Sequence, residues 1–208
     1  MAQTPAYKGE PIRTNLLRLV LMVEIVACAT VMLVLIAAGK GIVRMPPSLL
    51  AVYQVVARSL FFLPAAAFAC LMFWIFRVNK NARALSSQPL ETSPGWAVGW
   101  FLVPLVCWWR PLETVCEIYK ASRTPHDWRR TGRAALVGWW WGFNLLGNAI
   151  SVIMMVSKSL DGELFLRPLS IALYGAMIVH QGLLLAVVNR IVKWQTAARR
   201  TGGVEDLF

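Results

Sequence analysis

Four long apolar runs alternate with polar or breaker-rich segments along the 208 residues of this chain. Each run reaches the ~20 residues that a helix needs to cross a hydrocarbon core ~30 Å thick. The pattern predicts spans at about 15–38, 59–76, 134–156 and 169–192, with 48–58 as a helical entry to the second. Residues Met1 to Thr14 read as a polar tail, and Gly39 to Pro47 and Ser157 to Pro168 read as connecting loops. A basic tail follows Val192. Pro64 falls inside the second span, where neighbouring helices can re-satisfy the carbonyl it frees.

A fifth apolar stretch breaks this rhythm. Residues 93–111 read Ser-Pro-Gly-Trp-Ala-Val-Gly-Trp-Phe-Leu-Val-Pro-Leu-Val-Cys-Trp-Trp-Arg-Pro, too apolar for an ordinary loop and interrupted by three prolines. The fifteen residues from Gly95 to Trp109 would extend only ~22 Å as a helix at ~1.5 Å each, so the stretch is expected to be re-entrant or to lie flat at the interface. Residues 112–133 are polar and amphipathic and predict a cytoplasmic surface helix. The expected fold is an all-α integral membrane protein forming one membrane domain over 1–208. It has four transmembrane helices, the short re-entrant or interfacial helix, and the amphipathic helix.

Composition agrees with lipid as the solvent: 58% of positions are hydrophobic, against roughly 45–50% in soluble domains. The formal net charge of +11 then belongs to residues kept at a membrane face and drawn to anionic headgroups, not to nucleic-acid binding. With four spans, sixteen Lys and Arg lie on the side of the termini and the central segment, and four lie opposite. This asymmetry predicts cytoplasmic termini, and it also argues against translocation of the basic segment after Arg110. The first run is too long for a signal-peptide core and has no small-residue cleavage site, so it is expected to remain as a span. Cys28 and Cys70 lie inside apolar runs, while Cys107 and Cys116 are nine apart. No disulfide framework or metal-ligand spacing is visible, and no metal or cofactor is assigned.

All ten tryptophans fall on the expected cytoplasmic side, whereas an aromatic belt populates both interfaces. This asymmetry predicts either one-sided anchoring or an aromatic cleft at the inner leaflet. Trp96 and Trp100 share a helical face by their spacing of four, and Arg110 follows two indoles directly. The candidate ligand-binding set is therefore Trp96, Trp100, Trp109, Arg110, Trp140 and Arg77. A simpler role for Arg77 and Arg110 is binding of lipid phosphate or pairing with Glu113 or Glu117.

Several of these residues carry a resemblance. Phe73-Trp74-Ile75-Phe76-Arg77, Asn81, Ser93-Pro94-Gly95-Trp96-Ala97-Val98-Gly99-Trp100-Phe101, Pro104, Trp109-Arg110-Pro111 and Glu117 resemble the signature of a bacterial family of uncharacterised multi-span membrane proteins, a domain of unknown function. The resemblance is close over about 70–120 and implies a location in the bacterial inner membrane, but it implies no activity. Cys107 departs from it, standing where that family is expected to have Asn.

Polar residues within the spans form a second set. Glu24, Asn144, Asn148 and His180 lie between about 12 and 21 Å from the cytoplasmic ends, so they could meet near mid-membrane. Asn144, Asn148 and Ser151 share a face, which suggests interhelical hydrogen bonding. No HExxH, GxSxG, Walker or GxGxxG motif occurs. The leading expectation is a non-enzymatic protein that binds a lipid or amphipathic molecule at the inner leaflet, as a transporter or assembly subunit. Its partners would be anionic membrane lipids, with a second copy or another membrane protein also compatible. Two alternatives stay open. One is a membrane enzyme using Glu24 with His180, or Glu113 with Glu117, and the other is a proton-coupled carrier or channel using Glu24.

Overall fold

The computed structural model describes residues 11–39, 47–159 and 163–205, and every regular element among them is helical. The helices are α1 (Pro11–Gly39), α2 (Pro47–Leu85), α3 (Pro94–Gly99), α4 (Arg110–Arg123), α5 (Ala135–Ser159) and α6 (Glu163–Glu205), with 3-10 turns at Val106–Trp108 and Trp128–Arg130. Four of them hold stretches long and apolar enough to cross a membrane: Pro11–Ala37, Gln54–Leu85, Ala135–Ser157 and Leu166–Arg200. The protein is an all-α, multi-pass membrane protein.

The long helices overrun the apolar runs that announce them. α2 continues through Pro64 and past Phe76 to Leu85. α6 contains Pro168, expected in a loop, and continues to Glu205 where a basic tail was expected. Gln195 of α6 lies beyond the apolar run and is buried in line with Val187, Val188 and Ile191, so the packing of this helix persists past Val192. The amphipathic helix behaves in the opposite way. α4 stops at Arg123 because Pro125 disfavours helical geometry at Thr124, whose φ is −135°. Turns carry the chain from there to α5. The expected loop Gly39 to Pro47 has its ends in α1 and α2, and its residues 40–46, the Asp161-Gly162 turn and the first ten residues lie outside the described residues.

The chain divides into two compact units. One takes the described parts of Met1–Leu17, Ala69–Trp139 and Leu184–Phe208, and the other takes those of Arg18–Phe68 and Trp140–Leu183. In the first unit, α3 and both 3-10 turns pack on α4. α4 has Pro111 in its first turn, Glu113 near its start, and Lys120 and Arg123 near its end, an order that suits the helix dipole. Gln195 is fully buried there and donates to Val78 O at 3.0 Å and Ser122 Oγ at 2.9 Å, tying α6 to α2 and α4. Arg190 donates to the Tyr119 hydroxyl at 3.1 Å, and Tyr119 meets Trp194 edge-on at 4.9 Å.

α1 shows how a span apolar on all sides acquires an inside. Leu17, Leu21, Glu24, Cys28 and Val31 are buried, at alternating steps of four and three, while Leu19, Met22, Val23, Val26 and Leu33 are exposed. The buried row has the 3.5-residue period of helix-on-helix packing. In the second unit, α5 faces α6 at Gly147 and α6 faces α1 at Gly175, where an added Cβ would make only ordinary contact, 4.0 Å from Leu173 Cδ1 and 4.0 Å from Met32 Sδ.

Candidate functional site

The stretch 93–111 stands on a polar mount formed at residues 90–92, immediately before it. The N–H groups of Glu91 and Thr92 both donate to the Glu117 carboxylate. From the other side, Arg83 Nη2 donates to Leu90 O at 2.7 Å and to Thr92 O at 2.6 Å, and Asn79 Nδ2 donates to Thr92 O at 3.2 Å. Arg83 Nε also donates to Asn79 Oδ1 at 3.2 Å. Thr92 is thus gripped at both of its backbone groups, an anion accepting from its N–H and a cation donating to its C=O. Hydrogen bonds to charged groups contribute about 1.5–3 kcal/mol each, which adds to the burial of Leu90 in holding the loop. Ser87 N–H donates to Pro125 O at 3.2 Å and Gln88 Nε2 donates to Asp127 Oδ1 at 3.3 Å, which fixes the start of the same loop.

From this mount Ser93 caps α3, accepting the Trp96 N–H at 3.4 Å, with Pro94 at the first helical position. The helix ends at Gly99, five residues before Pro104. One more turn would need the Pro104 nitrogen to donate to Trp100 O, and proline has no N–H. Trp96 and Trp100 stack with centroids 4.4 Å apart, as their spacing predicts. Gly99 makes room for this arrangement: a Cβ there would meet Trp96 Cε3 at 3.1 Å, whereas one on Gly95 would meet open space.

Beyond α3 the chain turns sharply. Val106 N–H donates to Pro104 O at 2.8 Å, a three-residue γ-turn centred on Leu105, whose φ is +65°. Leu105 is 75% exposed at this apex, and Leu102, Trp96, Trp108 and Trp109 are also exposed. Arg110 returns beside them, its guanidinium 5.5 Å from the Trp100 ring centroid and its Nη1 3.0 Å from Glu113 Oε2. Both side chains of that ion pair are about half exposed, so Arg110 retains donors that face outward. The result is an apolar projection with a cation stacked on paired indoles. The stretch is not one continuous helix.

Of the other expected ligand contacts, Arg77 is half-buried on α2. Trp140 belongs to the second unit, where it is 1% exposed between Trp141 and His180, so its indole presents no free face to a ligand. Glu117, proposed as a catalytic or ion-pair carboxylate, is committed to the backbone of 91–92. Burial pushes the Cys116 thiol above its ordinary pKa, with smaller opposing effects of Lys120 downward and Glu113 upward.

The intramembrane set separates. Glu24 is wholly buried and accepts from Gln181 Nε2 at 2.6 Å. No hydrogen bond links it to Asn144, Asn148 or His180. His180 lies beside Trp140, its Nδ1 3.3 Å from the Trp140 carbonyl. Asn148 is exposed and donates to Asn144 O within α5 at 2.8 Å, and Ser151 donates to Gly147 O at 2.9 Å. Asn148 and Ser151 thus bond to carbonyls of their own helix. Gln181 is outside the expected set, although an amide within a span is a signal of the same kind as Glu24. Asn79 and Gln195, and Arg83 beyond its value as a charge at the end of a span, carry no such signal, because their partners are chiefly backbone groups.

Comparison with curated proteins finds no match, and neither does comparison with solved structures. A family model, Domain of unknown function (DUF4328), matches residues 48–193, which takes in the polar mount, the Trp-Arg projection, nearly all of α2, all of α5 and α6 as far as residue 193. The chain belongs to that family.

Proposed function

We propose that the projection formed by residues 94–110 binds an anionic lipid or amphipathic molecule at the membrane interface, through Trp96, Trp100, Trp109 and Arg110. The observation that carries this reading is the pairing of exposed indoles and leucines with the Arg110 guanidinium over Trp100. Indoles favour the headgroup level, where a ring is half in hydrocarbon and half in water. A guanidinium placed there can meet phosphate or carboxylate with two parallel hydrogen bonds. The clamp on Thr92 supports the reading because a rigid mount reduces the ordering cost of binding.

The charge asymmetry favours the cytoplasmic leaflet of a bacterial inner membrane as the location. From Ala69 to Trp139 the chain carries nine Lys and Arg against four Asp and Glu. A transporter or an assembly subunit would both use such a surface. Native mass spectrometry after mild extraction tests the site directly, with phosphatidylglycerol and phosphatidylcholine added in equal amounts. The intact protein is expected to retain phosphatidylglycerol preferentially, and Arg110→Ala with Trp100→Ala is expected to reduce that retention about tenfold, a loss near 1.4 kcal/mol. Equal retention of the two lipids by the intact protein would refute the reading.

A further inference from the structure

The second unit contains a polar pair that the interfacial site does not use. Glu24 occupies a position in the buried row of α1, between Leu21 and Cys28, and is 0% exposed. Its partner, Gln181 on α6, is 6% exposed. One hydrogen bond joins them, from Gln181 Nε2 to Glu24 Oε2 at 2.6 Å. Each side chain is left with one buried oxygen that has no hydrogen-bond partner, Glu24 Oε1 and Gln181 Oε1. Two buried acceptors without a donor are costly. Both belong to groups already in contact, and the set lacks one hydrogen.

We propose that Glu24 and Gln181 together bind one proton, carried on Glu24 Oε1 and donated to Gln181 Oε1, forming a neutral acid–amide site within the membrane-embedded helices. The proton supplies the missing donor, so the acid O–H and the amide N–H each bond to the other group's oxygen. No bond other than O–H forms, and the proton comes from water. A metal ion fits this donor set poorly. Calcium, for example, takes six to eight oxygens, and no group of three or more His, Cys, Asp or Glu is placed to hold a metal among the described residues. The neighbouring titratable groups offer no substitute charge. Cys28 lies one turn along α1 and is itself buried, while His180 on α6 is engaged with the Trp140 carbonyl. No salt bridge reaches Glu24 from any described residue.

The site is independent of the interfacial reading, and infrared spectroscopy of the full chain in liposomes near neutral pH tests it. The intact protein should show the C=O stretch of a protonated carboxyl. Glu24→Gln should abolish that band completely, and its amide can still donate to Gln181, so the fold is expected to survive. Gln181→Leu keeps the acid but removes its acceptor, and should shift the band to higher frequency. Absence of the band from the intact protein would overturn the proposal. So would its persistence in Glu24→Gln, or an unshifted band in Gln181→Leu. Replacing choline chloride by sodium chloride should leave the band unchanged, and its reversible loss would overturn the proton in favour of a bound cation.

Discussion

Leu105 is the residue at which backbone and side chain serve different ends. A φ of +65° is disfavoured for leucine, at a cost of about 1–3 kcal/mol, and glycine would occupy the same turn without that cost. Leu105→Gly should therefore leave thermal stability unchanged or raise it, while removing the apolar apex and weakening lipid retention. Thermal unfolding in detergent, read beside lipid retention in native mass spectrometry, separates the two effects. A loss of stability with retained lipid would show that the apex serves only the fold. The sequence marks the turn through Pro104 but gives no sign that Leu105 is the residue with positive φ, because a γ-turn has no composition of its own. Residue-level reading did better where a side chain's own chemistry was the signal, as with Glu24 and with the Trp96–Trp100 pair.

At the level of elements, α3 is short and derives its orientation from what precedes it. The clamp formed by Asn79, Arg83 and Glu117 holds residues 90–92 and aims Ser93 into its capping position. Glu117→Gln replaces one accepting oxygen with an NH2 that faces a backbone N–H, and should destabilise the first unit by about 1–3 kcal/mol. The same variant should speed amide hydrogen exchange at Glu91 and Thr92, and unchanged exchange there would exclude the clamp as the mount. Ser93, Pro94 and the tryptophan spacing made α3 legible beforehand, because caps and helical faces are local. The clamp was not legible, because Glu117 is 25 residues from Thr92 and backbone groups leave no trace in a sequence.

For the whole molecule, the open quantity is orientation. Sixteen Lys and Arg against four predict that both termini and the segment between α2 and α5 face the cytoplasm. Cysteines introduced as Glu91→Cys and Glu113→Cys in a cysteine-free background should be labelled from the same face, the cytoplasmic one. Labelling from opposite faces would mean that 93–111 crosses the membrane.

The sequence alone determined the class of molecule, the number of long apolar helices, and the interruption at 93–111. Hydropathy, charge and proline act locally and leave a readable record. Tertiary structure alone decided how far α2 and α6 run past their apolar stretches, which face of each long helix is inward, and which polar groups meet. In a soluble helix the polar face announces the exposed side, but the face of α1 that carries Leu19 and Val26 is as apolar as the one that carries Leu21 and Val31. Lipid and protein interior present nearly the same solvent to a leucine. Only packing could therefore separate the two faces of α1 and bring Glu24 against Gln181.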